Sequence, residues 1–207
     1  MTDRFAYTDD REKQNAARVR ALEALLIEKG IITSATVDKV LDVFETELGP
    51  FNGAKLVAKA WMDPTFMQLL VSDTAAAIGQ LGLPSGTAGV EGEHMQAVAN
   101  TQQVHNLILC TLCSCYPWPV LGLPPYWYKD PSFRARAARE PRKVLKEFGL
   151  EIDPAKEIRV WDSSAQIRWF VVPERPEGTD GMSEAELAAL VTPEAMMGVA
   201  VARTQPK

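Results

Sequence analysis

Residues 1–82 read as a helical N-terminal arm and residues 83–207 as an α+β domain, and three observations predict that class. Apolar residues recur at helical spacing through the first eighty positions, with capping residues and Gly or Pro between the segments. A glycine- and proline-bearing stretch, Leu83 to Gly92, then interrupts the pattern. Beyond it, short β-rich runs alternate with capped helices, the mixture expected of an α+β fold.

In chain order, Ala16 to Gly30 carries a stripe of Ala17, Val19, Leu22, Leu25, Leu26 and Ile27 that Gly30 stops. Ser34 is placed to cap a second helix with Val37, Val40, Leu41, Val43 and Phe44 on one face, ended by Gly49-Pro50. Asn52 to Trp61 forms a short apolar helix, and Asp63-Pro64 sets an N-cap before a first-turn proline, opening a helix toward Gly82. An arm of this kind suits partner binding, although helices folded back on their own domain are about equally common. Met95 to Val98 and Val104 to Leu109 read as strands, while Pro117, Pro119, Pro124 and Pro125 keep the next stretch irregular. Asp130-Pro131 opens a helical segment interrupted at Pro141 and ending at Gly149. Glu157 to Asp162 and Gln166 to Val172 read as a β-hairpin joined at Ser163-Ser164. Ser183 and Glu186 form a capping box for a final helix, and Thr192-Pro193 starts one more turn.

The balance of 22 basic against 27 acidic residues, a net charge of −5, leaves no basic field for a phosphate backbone and excludes nucleic acid as the expected partner. Met1 to Arg11 is polar, without the apolar core of a signal peptide, and no apolar run reaches the length of a membrane span. A reducing cytoplasm is therefore expected, and there clustered cysteines read as metal-binding or catalytic.

The chain's only three cysteines, Cys110, Cys113 and Cys115, fall within six residues. An odd number at this spacing does not make a disulfide framework. Three thiolates would suit zinc, but a structural zinc site closes a tetrahedron with a fourth side chain. The two histidines are His94 and His105, and His105 would have to fold back from a strand to ligate. Iron–sulfur clusters usually take four cysteines. Both come up one ligand short. A strongly Lewis-acidic trivalent ion completes the set differently, displacing the amide protons of Ser114 and Cys115 and taking their nitrogens as ligands. That gives three sulfurs, two nitrogens and an open sixth position, and the small Ser114 lets the backbone wrap this tightly. The alternative is three structural cysteines that are merely buried.

Cys110 to Cys115, followed by Tyr116-Pro117-Trp118-Pro119 and Leu121-Gly122-Leu123-Pro124-Pro125, resembles the α subunit of nitrile hydratase. The likeness continues through Gly49 to Asp63, Arg134 to Gly149, Glu157 to Ser163, Pro173 to Gly181 and the capped C-terminal helix. The resemblance implies that residues 83–207 form a layered α/β/β/α metal-binding catalytic domain with mixed sheets, and that the arm over 1–82 binds a partner. It implies a non-corrin Co(III) or non-haem Fe(III) centre held by the sulfurs of Cys110, Cys113 and Cys115 and by the amides of Ser114 and Cys115. Cys113 would be oxidised to the sulfinic level and Cys115 to the sulfenic level. Thr111 is similar to the cobalt-type pattern, where iron-type members usually carry Ser, so low-spin Co(III) is expected and Fe(III) is the lesser alternative.

The implied activity is hydration of a nitrile to the corresponding amide, by an αβ heterodimer or an α2β2 assembly. In the family the β subunit supplies arginines to the oxygenated sulfurs, so this chain is expected to be catalytically incomplete alone. A metal-loading activator protein is a further implied partner. Among catalytic residues, the Cys115 sulfenate acts as nucleophile or as base for water, and Trp118 walls the substrate pocket. Gln80 resembles a family glutamine near the active site, and Asp162 a carboxylate that supports the ligands. Each has a plainer reading: core packing for Trp118, a helix end for Gln80, a turn cap for Asp162. Lys129, Arg134 and Arg136 read as a solvated helix face. Gln166 stands where the family typically has glutamate. Two alternatives remain: a thiocyanate hydrolase γ-type subunit, which shares the claw but tends to carry Arg where Trp118 stands, and a non-enzymatic metal-binding protein.

Overall fold

The computed structural model describes residues 9–84, 94–113 and 115–204, in two compact units divided between Glu47 and Leu48. The smaller unit contains α1 (Asp9–Glu28) and α2 (Ser34–Thr46). Thr33, not Ser34, caps α2: its Oγ1 accepts the Thr36 N–H at 3.1 Å, and Ser34 is already helical. The unit leaves Val19, Leu22, Ile31, Val40 and Leu41 each more than half exposed.

The larger unit contains α3 (Pro50–Met62), α4 (Pro64–Ser72) and α5 (Thr74–Gln80), the last two packed against the first strand. These helices, read from the sequence as arm, therefore lie in the same unit as the strands. The helix expected to run from Pro64 toward Gly82 breaks at Asp73, whose carboxylate accepts the Ala76 N–H at 3.0 Å and caps α5 afresh. Gly53 on α3 has no room for a side chain: a Cβ there would lie 2.4 Å from the Val120 carbonyl and 2.6 Å from the Met196 sulfur. Buried Asn52 donates to the Pro119 carbonyl at 3.0 Å. Together they fasten α3 to the segment that follows the cysteines.

Strand β1 (His94–Ala99) pairs in parallel with β4 (Ile167–Val172), and β2 (Val104–Leu109) pairs in parallel with β3 (Glu157–Asp162). The α+β class holds, but the hairpin expected over 157–172 does not form, and both pairings among the described residues are parallel where mixed sheets were expected. The Ser163 N–H bonds the Leu109 carbonyl at 2.7 Å, and Ser164 then turns the chain with a 2.8 Å bond from its N–H to the Ile167 carbonyl. The chain thus leaves one sheet and enters the other. Leu107, Ile108, Leu109, Phe170, Val171 and Val172 are fully buried between the sheets and their helices.

The remaining elements are α6 (Trp118–Leu121), a 3₁₀ turn (Tyr126–Lys129), α7 (Pro131–Arg139), α8 (Pro141–Glu147), α9 (Glu184–Ala188) and α10 (Pro193–Met197). The capping box of Ser183 and Glu186 is present on α9. Gly198 ends α10 at φ 84°, with its Cα so close to β2 that a Cβ would sit 2.0 Å from the Asn106 carbonyl. His105 Nε2 donates to the Gly198 carbonyl at 2.7 Å, which leaves Nδ1 to accept from Asn100 at 3.4 Å. Burial holds the His105 pKa below its ordinary value. The histidine is thereby committed to the core and not to the cysteines. Of the boundary loop expected over 83–92, residues 85–92 lie outside the described residues.

Candidate metal centre

Strand β2 delivers Cys110 fully buried at its C-terminal end, and β3 ends beside it, with Leu109 in register with Asp162. This places the Asp162 carboxylate under the first turn of the cysteine loop. One oxygen accepts the Thr111 N–H at 2.9 Å and the other the Thr111 hydroxyl at 2.5 Å. The loop then curls back. Cys113 N–H points at the Cys110 sulfur at 3.3 Å, the Cys110 and Cys113 sulfurs lie 3.4 Å apart, and those of Cys113 and Cys115 lie 2.9 Å apart. All three Sγ atoms fall within 4.8 Å of one another, with Cys110 buried, Cys115 9% exposed and Cys113 open to solvent.

Two further side chains grip the loop by its backbone. Arg134, one turn into α7, donates from Nη1 to the Cys113 carbonyl at 2.5 Å. Its Nε is buried and has no hydrogen-bond partner among the described residues. Tyr128, fully buried, donates to the Cys115 carbonyl at 2.8 Å. Ser163 Oγ accepts the Trp169 N–H at 3.2 Å, which ties the inter-sheet turn to β4. Tyr116 packs edge-on against Tyr128 with centroids 5.0 Å apart and donates to the Met197 sulfur at 3.3 Å.

Burial, reinforced by the Cys113 contact and partly opposed by Arg168, pushes the Cys115 thiol up to about 12. A cation reverses that preference, because a coordinating thiol is deprotonated outright. Among the described residues, three convergent soft sulfurs and no convergent histidine or carboxylate ligand fit a thiophilic ion better than a hard one. A cleft of about 280 Å3, lined by Thr111, Pro131, Arg134 and Arg139 among others, opens beside the loop. The larger cavity, about 730 Å3 between α3 and α9 and lined by Phe51, Ala54, Ala185 and Ala188, includes no claw residue.

The structure thus brings Cys110, Cys113, Cys115 and Asp162 together. Ser114 lies outside the described residues. Trp118 opens α6 half-buried, with its N–H on the Tyr116 carbonyl at 2.9 Å. Gln80 closes α5 with its side chain exposed. Gln166 sits in the inter-sheet turn, accepting from the Ser164 hydroxyl at 3.2 Å. Arg134 is not on a solvated face as the sequence suggested, although Arg136 does pair with Glu147 at 2.5 Å. Tyr128 was missed as well; the aromatic run Tyr126-Trp127-Tyr128 marks a packed segment, but nothing in it points to a backbone carbonyl thirteen positions back.

The family described as nitrile hydratase, alpha chain, matches this chain over residues 13–200. The chain is 52% identical to the cobalt-containing nitrile hydratase subunit alpha of Pseudonocardia thermophila, over 98% of this chain and 99% of that one. Thiocyanate hydrolase subunit gamma of Thiobacillus thioparus is more distant, at 42% identity over 87% of this chain and 77% of its own. In solved structures, a double mutant of the Fe-type nitrile hydratase of Comamonas testosteroni Ni1 superposes with a TM-score of 0.82, 42% identity and coverage of 95% and 92%. A loop that gathers three sulfurs under a supporting carboxylate, on a chain so extensively alike, has one consistent reading: this protein belongs to the nitrile hydratase alpha-chain family.

Proposed function

We propose that this chain is the metal-binding alpha subunit of a cobalt nitrile hydratase, converting a nitrile and water to the amide together with a β subunit. The observation that carries this reading is the convergence of Cys110, Cys113 and Cys115 to within 4.8 Å on a loop held by Asp162, Arg134 and Tyr128. The three sulfurs and the amides of Ser114 and Cys115 would hold low-spin Co(III), with Thr111 in the cobalt-type position. When bound, the ion supplies Lewis acidity to a nitrile or to water.

The chain's own residues do the rest. An external oxidant such as dioxygen would take Cys113 to the sulfinic and Cys115 to the sulfenic level, supplying their oxygen atoms and accepting the electrons. The Cys115 oxygen would then attack the nitrile carbon or take the proton of the attacking water. Asp162 fixes Thr111 and with it the first turn of the claw. Trp118 bounds the substrate side of the site, and Gln80 contributes to it from the end of α5. The apolar residues exposed on α1 and α2 support a role for that unit in binding the β subunit, in an αβ or α2β2 assembly. A metal-loading activator is a further partner. No helix among the described residues is long and apolar enough to cross a membrane, and a cytoplasmic setting accords with reduced cysteines awaiting metal.

The test is co-expression with a β subunit in cobalt medium, followed by elemental analysis, mass spectrometry of the claw peptide, and assays of nitrile and thiocyanate side by side. Cobalt near one per chain, two oxidised cysteines and amide formation are expected, and Cys115→Ser should remove both metal and turnover. Exchangeable metal on unoxidised cysteines, or thiocyanate turnover without nitrile hydration, would sink the reading.

A further inference from the structure

We infer that Arg134 is this chain's own counter-charge for the metal claw, a positioning residue that favours the loaded state over the empty one. The inference rests on the cobalt reading above and deepens it. Its starting point is the 2.5 Å hydrogen bond from Arg134 Nη1 to the carbonyl of Cys113. That oxygen belongs to the peptide unit whose nitrogen is Ser114 N, one of the two backbone ligands proposed. The C–N bond of a peptide has partial double-bond character, so oxygen and nitrogen share charge across the unit. A peptide nitrogen that binds a cation in anionic form therefore places part of its negative charge on the oxygen that Arg134 holds. The same guanidinium that meets a neutral carbonyl in the metal-free chain meets one carrying negative charge in the loaded chain, so the attraction between them is greater there.

The placement is preset. The Asp130 carboxylate caps α7 through the Phe133 N–H at 2.9 Å, and Phe133 and Ala137 bury the helix's inner face. Arg134 leaves the helix between these anchors half-buried, and its buried Nε has no hydrogen-bond partner among the described residues. Its neighbours on α7 differ: Arg136 is held by Glu147, and Arg139 is exposed on the rim of the adjoining cleft. The arginines that the family brings from the β subunit act on oxygenated sulfurs. Arg134 acts on the backbone, from within the chain, at a different set of atoms.

The experiment compares wild type, Arg134→Gln, Arg134→Lys and the control Arg139→Gln, each assembled with a β subunit and loaded with cobalt. Cobalt retained under excess chelator is followed by elemental analysis, and the metal-free assemblies are melted in parallel. Arg134→Gln should lose cobalt at least about tenfold faster than wild type, the lower end for a hydrogen bond to a charged group. Arg134→Lys should recover part of the loss, and Arg139→Gln should retain cobalt like wild type. The metal-free Arg134→Gln assembly should melt with wild type, whereas a merely structural role would weaken the empty and loaded forms alike. Equal retention by Arg134→Gln and a loaded wild type, or equal weakening of both forms, overturns the role given to Arg134 alone. A wild type that holds no cobalt at all overturns the cobalt reading and this inference with it.

Discussion

Replacing Tyr128 by Phe isolates the buried hydrogen bond that holds the last cysteine of the claw by its backbone. The change keeps the ring, its full burial and its edge contact with Tyr116 at 5.0 Å, and removes one oxygen. That oxygen donates to the Cys115 carbonyl at 2.8 Å, so its loss strands a buried acceptor. A buried polar group left without a partner costs about 1–3 kcal/mol. One such group predicts a loss of about 1–3 kcal/mol. In a chain of this size that corresponds to a fall in melting temperature on the order of 2–12 °C. Equilibrium urea unfolding followed by tryptophan fluorescence should show the midpoint moving down at constant slope. An unchanged midpoint would refute the reasoning, because it would mean that the phenol is not what satisfies the Cys115 carbonyl.

Gly198→Ala should destabilise by about 3 kcal/mol or more in the same assay, since it combines a left-handed backbone at φ 84° with a Cβ driven into the Asn106 carbonyl. His105 gives a pH dependence: its folded pKa is lowered by burial, so the unfolded chain takes up the proton first as pH falls through about 6.5, and stability present above that value declines below it. Urea midpoints between pH 8 and 5 should fall more steeply for wild type than for His105→Gln. Asp162→Ala releases a carboxylate that is itself exposed, so melting of the metal-free chain should change by less than about 1 kcal/mol, while cobalt content after loading falls because Thr111 is no longer held.

The helices were legible because their signals are local. Asp63 and Asp130 each precede a proline and cap through their own side chains, and Ser183 and Glu186 are three positions apart. The strands were legible as strands, but not their partners. An alternating run such as Glu157 to Asp162 looks the same whether it pairs with its successor in sequence or with β2 fifty residues earlier, and only the Ser163-Ser164 turn decides. Metal chemistry was legible because three cysteines within one loop converge by covalent necessity. The support of that loop was not. Arg134 and Tyr128 reach backbone carbonyls, which every residue has, so no side-chain pattern announces them.

The parallel ladder of β2 and β3 sets a condition on moving this chemistry elsewhere. Leu109 pairs with Asp162, and the residue after Cys110 is the one Asp162 holds. A slip of two residues would carry the carboxylate about 6.6 Å along its strand, out of reach of Thr111. A six-residue loop grafted onto a foreign scaffold would bring its sulfurs but leave this anchorage behind. A faithful transplant has to import two strand ends, locked side by side, from parts of the chain some fifty positions apart.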